Sequence, residues 1–261
     1  MLKNRQPILT ILGGMGPMAG VELHKRIILN TPAKKDQDHL NILHISFPCV
    51  IDDRTRYVKS LIGINPGLQA GQVLTNTILT TNQNQGDKNR YIVGVPCNTF
   101  HSSIIFNKFK ETIATTATAN IKVINMVEST VSYIEDKNYK KVGLLCTEGT
   151  RDSGVYSEII KERGMDIIMV PKTQQNEVND IIYNKEYGIK SLSYATDDVI
   201  NKTKIIVESL INKGADTIIL GCTELPIAIR EKYYNCIEMI DPVDILAKEM
   251  IKSVDILRSN I

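Results

Sequence analysis

Short apolar runs alternate along this chain with longer stretches that are apolar on one side only, the pattern of a parallel α/β protein. Eight runs predict strands: Ile8–Leu12, Ile42–Ser46, Tyr91–Val95, Lys122–Asn125, Lys141–Cys146, Asp166–Val170, Thr217–Leu220 and Ile237–Ile240. They are rich in β-branched residues, and several are apolar on both faces, as expected of strands covered by helices on each side. Between them, Val21–Asn30, Gly67–Thr81, Ser129–Asn138, Gly154–Glu162 and Asp197–Lys213 predict helices. The last ends on a basic residue followed by Gly214, a helix stop. Ile134, Ile206 and Leu210, with Tyr133, are expected to face the core at helical spacing. Two polar stretches interrupt the pattern. Asn82–Arg90 (NQNQGDKNR) reads as a surface loop, and Lys172–Ser191 as a longer polar loop of the kind that serves as a lid.

A weak internal repeat organises the rest. Tyr91–His101 (YIVGVPCNTFH) reads as a strand, then Cys-Asn-Thr, then a helix; Thr217–Ile227 (TIILGCTELPI) reads as a strand, then Cys-Thr-Glu, then a helix. Cys97 and Cys222 therefore fall at the carboxyl ends of parallel strands, where open α/β sheets build their binding crevices. They lie about one domain's length apart. At strand-to-helix junctions the helix N-terminus is expected to favour thiolate, and small polar donors follow each thiol, Asn98-Thr99 and Thr223-Glu224. Two thiols facing each other across a cleft suit proton exchange at a carbon, where one removes a proton and the other returns one to the opposite face. Cys49, Cys146 and Cys236 lack a matching context and read as structural, although Cys146 also ends a strand. His101 follows Cys97 by four residues; a capping or supporting histidine is the first reading, and a Cys–His nucleophile pair the rival one.

Three further segments fit binding of an anion. Gly13–Gly20 (GGMGPMAG) after the first strand contains Gly14-x-Gly16-x-x-Ala19, a formal dinucleotide fingerprint. The acidic residue expected about 20 positions on should close a second strand, but Asp36 and Asp38 sit in a polar loop. A cradle for a carboxylate, with Pro17 opening the helix, is the better reading; a plain tight turn remains the alternative. Arg54 follows the second strand and is either a bidentate carboxylate clamp or a loop arginine paired with Asp52 or Asp53. Thr147, Gly149 and Thr150 open a helix in the second half as another anion site, with Thr150 alternatively a plain N-cap.

Composition narrows the class. The chain has 261 residues, enough for one large or two small domains, with 43% hydrophobic residues and so ample core material. Lys+Arg 31 against Asp+Glu 29 are mixed along the chain, which gives no electrostatic footprint for nucleic acid. No CxxC pair occurs among the five cysteines and the four histidines are scattered, so neither a zinc ribbon nor another metal site is expected. The opening MLKNRQPILTILGG has too short an apolar stretch for a signal peptide or membrane span, so a soluble, cytoplasmic protein with reduced thiols is expected.

The ordered set ILGGMGPMAG, IDDRTRY, VGVPCNTFH, KVGLLCTEGTRDSGVY, QNEVNDIIY, GADTIILGCTELP and IDPVDILA resembles the cofactor-independent aspartate/glutamate racemase family, and more closely its aspartate racemase branch. The resemblance runs almost end to end. It implies two similar Rossmann-like parallel-sheet domains related by pseudo-twofold symmetry, with the active site in the cleft between them. The first would comprise residues 1–120 with 237–261, and the second residues 121–236. It implies that Cys97 and Cys222 are the acid–base pair, Cys222 taking the α-proton of the L-enantiomer and Cys97 that of the D-enantiomer. Met15, Gly16, Asn98, Thr99, Thr147, Thr150, Thr223 and Glu224 would surround the α-amino and α-carboxylate groups. Arg54 would bind the side-chain carboxylate, with a lysine after the IIY motif, Lys190 in preference to the nearby Lys185. It further implies no cofactor, no metal, an amino acid as the small-molecule partner, and a homodimer. Glutamate or broad amino-acid racemisation and maleate isomerase chemistry are the neighbouring readings. A dinucleotide-dependent oxidoreductase and a non-catalytic amino-acid-binding protein are the readings from other classes.

Overall fold

The structure, a computed structural model, describes residues 6–83, 89–116 and 120–259. The expected surface loop Asn82–Arg90 lies largely outside the described residues. By its contacts the chain divides into two units, residues 1–129 with 243–261, and residues 130–242. The second sheet therefore keeps the strand Ile237–Ile240, and the chain rejoins the first unit from Val243 rather than from residue 237. Backbone pairing accounts for this: Ile237–Ile240 is laddered in parallel to Thr217–Gly221 through Thr217–Glu238, Ile218–Met239 and Ile219–Ile240.

The first unit runs β1 (Ile8–Gly13), α1 (Pro17–Asn30), β2 (Ile42–Ser46), α2 (Arg54–Ser60), α3 (Pro66–Gln83), β3 (Arg90–Gly94), α4 (Ser103–Thr116), β4 (Asn120–Ile124) and the first residues of α5 (Met126–Asp136), whose remainder belongs to the second unit. Its four strands are all parallel, in the order β2-β1-β3-β4. Alternation along the strands divides the core into two layers. Leu9, Ile11 and Ile92 pack on one face with Leu23 and Ile27 of α1. Tyr91, Val93 and Val95 pack on the other with Ala70, Leu74 and Ile78 of α3 and with Ile105, Phe109 and Ile113 of α4.

Helices α3 and α4 approach closely, because Gly67 has no side chain. A β-carbon there would meet the backbone of α4, including Phe109 N at 2.9 Å. Gly67→Ala is therefore expected to destabilise the first unit by about 1–3 kcal/mol, the range for overpacking against backbone that cannot yield. Urea unfolding of the variant checks this; unchanged stability would show that α3 can slide freely.

The second unit continues with β5 (Lys141–Cys146), α6 (Glu148–Asp152), α7 (Ser157–Glu162), β6 (Asp166–Met169), α8 (Lys172–Tyr183), α9 (Ile189–Leu192), α10 (Asp197–Asn212), β7 (Thr217–Gly221), α11 (Leu225–Ala228), β8 (Tyr233–Tyr234) and β9 (Ile237–Ile240). The last helix, α12 (Pro242–Ser259), covers the Leu9–Ile11 face of the first sheet with Val243, Leu246, Met250 and Val254. The second sheet has the order β6-β5-β7-β9-β8, parallel except for the short β8. Ignoring β8, both sheets place their strands second, first, third, fourth by chain order. The internal repeat is thus one of topology as well as of sequence.

Two predicted segments differ. Lys172–Ser191 is mainly helical: Gln175, Val178, Ile181 and Ile182 form a buried stripe at helical spacing, and polar residues occupy the other faces. Gly154–Glu162 begins later than its periodicity suggests, because Gly154 takes φ of 68° and ends a turn before α7. Ile134, Ile206 and Leu210 are buried as expected, whereas Tyr133 is only partly so and donates its hydroxyl to the buried Glu238 at 2.8 Å.

Candidate active site

In both sheets the first and third strands are neighbours whose connections leave in opposite directions. That arrangement opens a crevice beyond their carboxyl ends. In the first unit the crevice loops are Gly14–Gly16 after β1 and Val95–Asn98 after β3. Pro17 stands in the first turn of α1, as the sequence predicts, and Gly16 precedes it at the N-cap position. Gly14 takes φ of 93°, and a β-carbon on it would stand 3.0 Å from Phe47 N, so the turn needs glycine. Met15 and Cys97 share one buried cluster with Leu12 and Phe100. Asn98 and Thr99 are buried beside Cys97, and Thr99 starts a single 3-10 turn that ends at His101.

His101 ties this loop down. Its Nδ1 lies 2.9 Å from the Cys97 carbonyl oxygen, and the Met126 N–H donates to its Nε2 at 3.3 Å. Nε2 is thus an acceptor and Nδ1 carries the proton. The imidazole addresses the backbone of Cys97 and the Met126 amide at the start of α5, which supports the capping role over the Cys–His nucleophile pair. Complete burial, only partly offset by the bond to Cys97, lowers its pKa from the ordinary 6.5 to about 4.

Arg54 is the first residue of α2, not a loop residue. Asp53 caps that helix by accepting from Arg56 N at 2.7 Å, and Asp52 accepts from Ile64 N at 3.1 Å. Arg54 Nη1 donates to the Asp52 carbonyl at 3.3 Å. Helix α2, which Arg54 opens, packs against the Thr99–His101 turn that follows the Cys97 loop.

The second unit repeats the placement. Thr147 and Thr150 follow β5 as Met15 and Gly16 follow β1, and Cys222 follows β7 as Cys97 follows β3. Thr147, not Thr150, is the N-cap of α6; its hydroxyl accepts from Thr150 N, and the two hydroxyls lie 3.2 Å apart, both buried. Gln175 on α8 fixes the end of β5 by donating to the Cys146 carbonyl at 2.9 Å while accepting from Arg151. Sequence reading missed Gln175, although its place on the apolar stripe of α8 is visible once that segment is read as a helix. Burial pushes the Cys146 thiol up to about 12, which suits the structural role expected of it.

Around Cys222 the polar groups converge. Its Sγ donates to Glu224 Oε2 at 2.9 Å, and the Thr223 hydroxyl donates to the same oxygen at 3.0 Å. Lys190, on the short α9, is ion-paired with Glu224 Oε1 and sits over the Tyr183 ring. Lys185 is exposed along a shallow groove with Asn176, Asp180 and Tyr183, so of the two lysines it is Lys190 that reaches this cluster. Burial opposes charge on Glu224, but Lys190 and the bonds from Cys222 and Thr223 hold its carboxyl below the usual range. Burial first, and then the Glu224 charge, raise the Cys222 thiol well above its ordinary value despite Lys190. The thiolate expected at this helix N-terminus is therefore not favoured. The reason is that α11 has only one turn, too short for a dipole that outweighs desolvation.

Among the described residues, no group of three or more His, Cys, Asp or Glu side chains is arranged to hold a metal ion, and no helix is long and apolar enough to cross a membrane.

Comparison with known proteins agrees with this topology. Aspartate racemase from Picrophilus torridus is 26% identical in sequence and matches with a TM-score of 0.72, covering 95% of this chain and 94% of its own. Glutamate racemase 3 of Caldanaerobacter subterraneus is 29% identical over 181 residues, which is 66% of this chain and 60% of that protein. The broad specificity amino-acid racemase RacX of Bacillus subtilis is 27% identical over 164 residues, or 62% of this chain and 63% of that protein. The matched region thus spans less than two thirds of both curated relatives. The family model described as Asp/Glu/Hydantoin racemase matches residues 12–250, nearly the whole chain, and the protein belongs to that family.

Proposed function

We propose that the protein is an aspartate racemase that interconverts the enantiomers by two-base proton transfer at Cα, with Cys97 and Cys222 as the acid–base pair and no cofactor. The observation that carries this reading is the equivalent placement of the two thiols, each in the crevice loop after the third strand of its own sheet. Family membership supports it, and the aspartate racemase of Picrophilus torridus favours aspartate as the substrate.

Removing an α-proton leaves a carbanion whose charge must spread onto the α-carboxylate. Hydrogen-bond donors fixed in advance around that group lower the barrier most effectively. Asn98, Thr99 and Thr223 supply amide or hydroxyl donors from the same crevice loops as the thiols, and Thr147 and Thr150 supply hydroxyls from the segment after β5. The Met15–Gly16 turn supplies backbone N–H groups. Glu224 attracts the α-ammonium, while Arg54 and Lys190 bind the side-chain carboxylate. One thiolate takes the Cα proton and the other thiol delivers a proton to the opposite face of the carbanion. That is why inversion needs two bases: a single base returns the proton to the face it came from.

Glutamate or broader specificity is the second reading, favoured by the glutamate racemase and RacX relatives. One methylene separates the two acidic substrates, worth about 1–3 kcal/mol of discrimination. The deciding experiment follows Cα proton–deuterium exchange in D₂O, without added cofactor, for a panel of L- and D-amino acids. Exchange with inversion confined to aspartate is the expected result. Inversion of glutamate at comparable rates would replace the aspartate reading, and no exchange with any amino acid would overturn racemisation.

A further inference from the structure

Glu224 makes more contacts with its own neighbours than a substrate-binding carboxylate needs. One oxygen receives both the Cys222 Sγ–H and the Thr223 hydroxyl, and the other is paired with Lys190. Glu224 is 5% exposed and Cys222 7% exposed, so little water competes for these bonds. A buried carboxylate of this kind persists only when its charge is matched, and Lys190 matches it. Among the described residues, the charged and titratable groups facing Cys222 are Glu224, from the loop after β7, and Lys190, from α9, with Tyr183 of α8 under the lysine.

We propose that Glu224 is a positioning residue that sets the proton of Cys222. Its carboxylate accepts the Sγ–H bond and keeps Cys222 a thiol in the unliganded protein, with Lys190 as the counter-ion that lets the carboxylate stay ionised. The consequence rests on the two-thiol reading given above. The unliganded protein presents Cys222 as the proton donor, so the first half-reaction is one in which Cys97 breaks the Cα–H bond. The electron pair stays on the carbanion, and the Cys222 S–H bond breaks to protonate the other face. A thiolate is then left beside the Glu224 carboxylate, and repulsion between the two anions drives Cys222 to recover its proton as the proton on Cys97 is released. The raised pKa of Cys222 agrees with this arrangement.

The test is the pH profile of Cys222 alkylation by iodoacetamide on the full chain, resolved by peptide mass spectrometry so that the other cysteines serve as internal controls. Glu224→Gln removes the charge while keeping size and leaves Lys190 beside the sulfur. Its midpoint at Cys222 is expected to fall by about one pH unit or more, with no change at Cys97. Glu224→Asp, which restores the charge, is expected to move the midpoint back toward that of the unmodified protein. A Cys222 midpoint in Glu224→Gln equal to or above that of the unmodified protein would overturn the proposal. Should that variant not fold, Glu224→Ala decides by the same readout: a Cys222 midpoint equal to or above that of the unmodified protein overturns the proposal, and a lower one supports it. Because neither substrate nor turnover is involved, this result stands or falls separately from the exchange experiment.

Discussion

Replacement of Cys97 or of Cys222 by alanine is expected to lower racemisation by about 10²–10⁴-fold or more, the contribution typical of one positioned acid or base. Each half-reaction needs both groups, one to take the proton and one to give it, so either loss stops inversion in both directions. The fold should survive. Each side chain is 7% exposed, and the substitution removes only a sulfur atom from the margin of a large apolar cluster. Circular dichroism and urea unfolding of the variants, beside chiral chromatography of the products, separate the two effects. Full activity in either variant would remove the two-thiol mechanism, and loss of structure in both would leave the exchange experiment as the arbiter.

The second large effect concerns stability and acid. His101 is completely buried and its pKa falls from 6.5 to about 4, burial being the main cause. Below pH 6.5 the unfolded chain binds a proton at this residue that the folded chain refuses. The stabilisation is therefore full above pH 6.5 and is lost as pH falls through about 4, and it amounts to about 3 kcal/mol. Urea unfolding midpoints measured from pH 7 to pH 4 should fall steeply in the unmodified protein. In His101→Gln, which cannot take up the proton, the fall should be shallower over the same range, although stability at pH 7 should drop because the bonds to Cys97 and Met126 are disturbed. Equal slopes in the two proteins would show that His101 ionises without opening the Cys97 loop.

These two predictions differ in how far the chain's pattern leads to them. Cys97 and Cys222 stand out because each follows a β-branched run and precedes small polar residues, and the structure puts both just beyond the third strand of equivalent sheets. His101 shows in the sequence only as a residue four positions on. Its bond to Met126 joins elements on either side of β4, and no local spacing reveals that pairing. Lys172–Ser191 is instructive in the other direction. Counting polar residues suggests a loop there, but half of a surface helix is polar by design, and the buried stripe from Gln175 to Ile182 decides the matter.

The sequence by itself determined the alternation of strands and helices, the position of both thiols at strand ends, the place of Pro17 in the first turn of α1 and the resemblance carried by the ordered motifs. All of these depend on residues near one another in the chain, through side-chain periodicity, turn chemistry and backbone freedom. Only the tertiary structure decided which strands neighbour one another, that Ile237–Ile240 belongs to the second sheet, that Lys190 rather than Lys185 reaches Glu224, and that Cys222 donates its hydrogen bond to that carboxylate. Those outcomes depend on burial and on partners that sheet pairing brings together. Charge and proton position respond to burial and to nearby charges, whatever their distance along the chain.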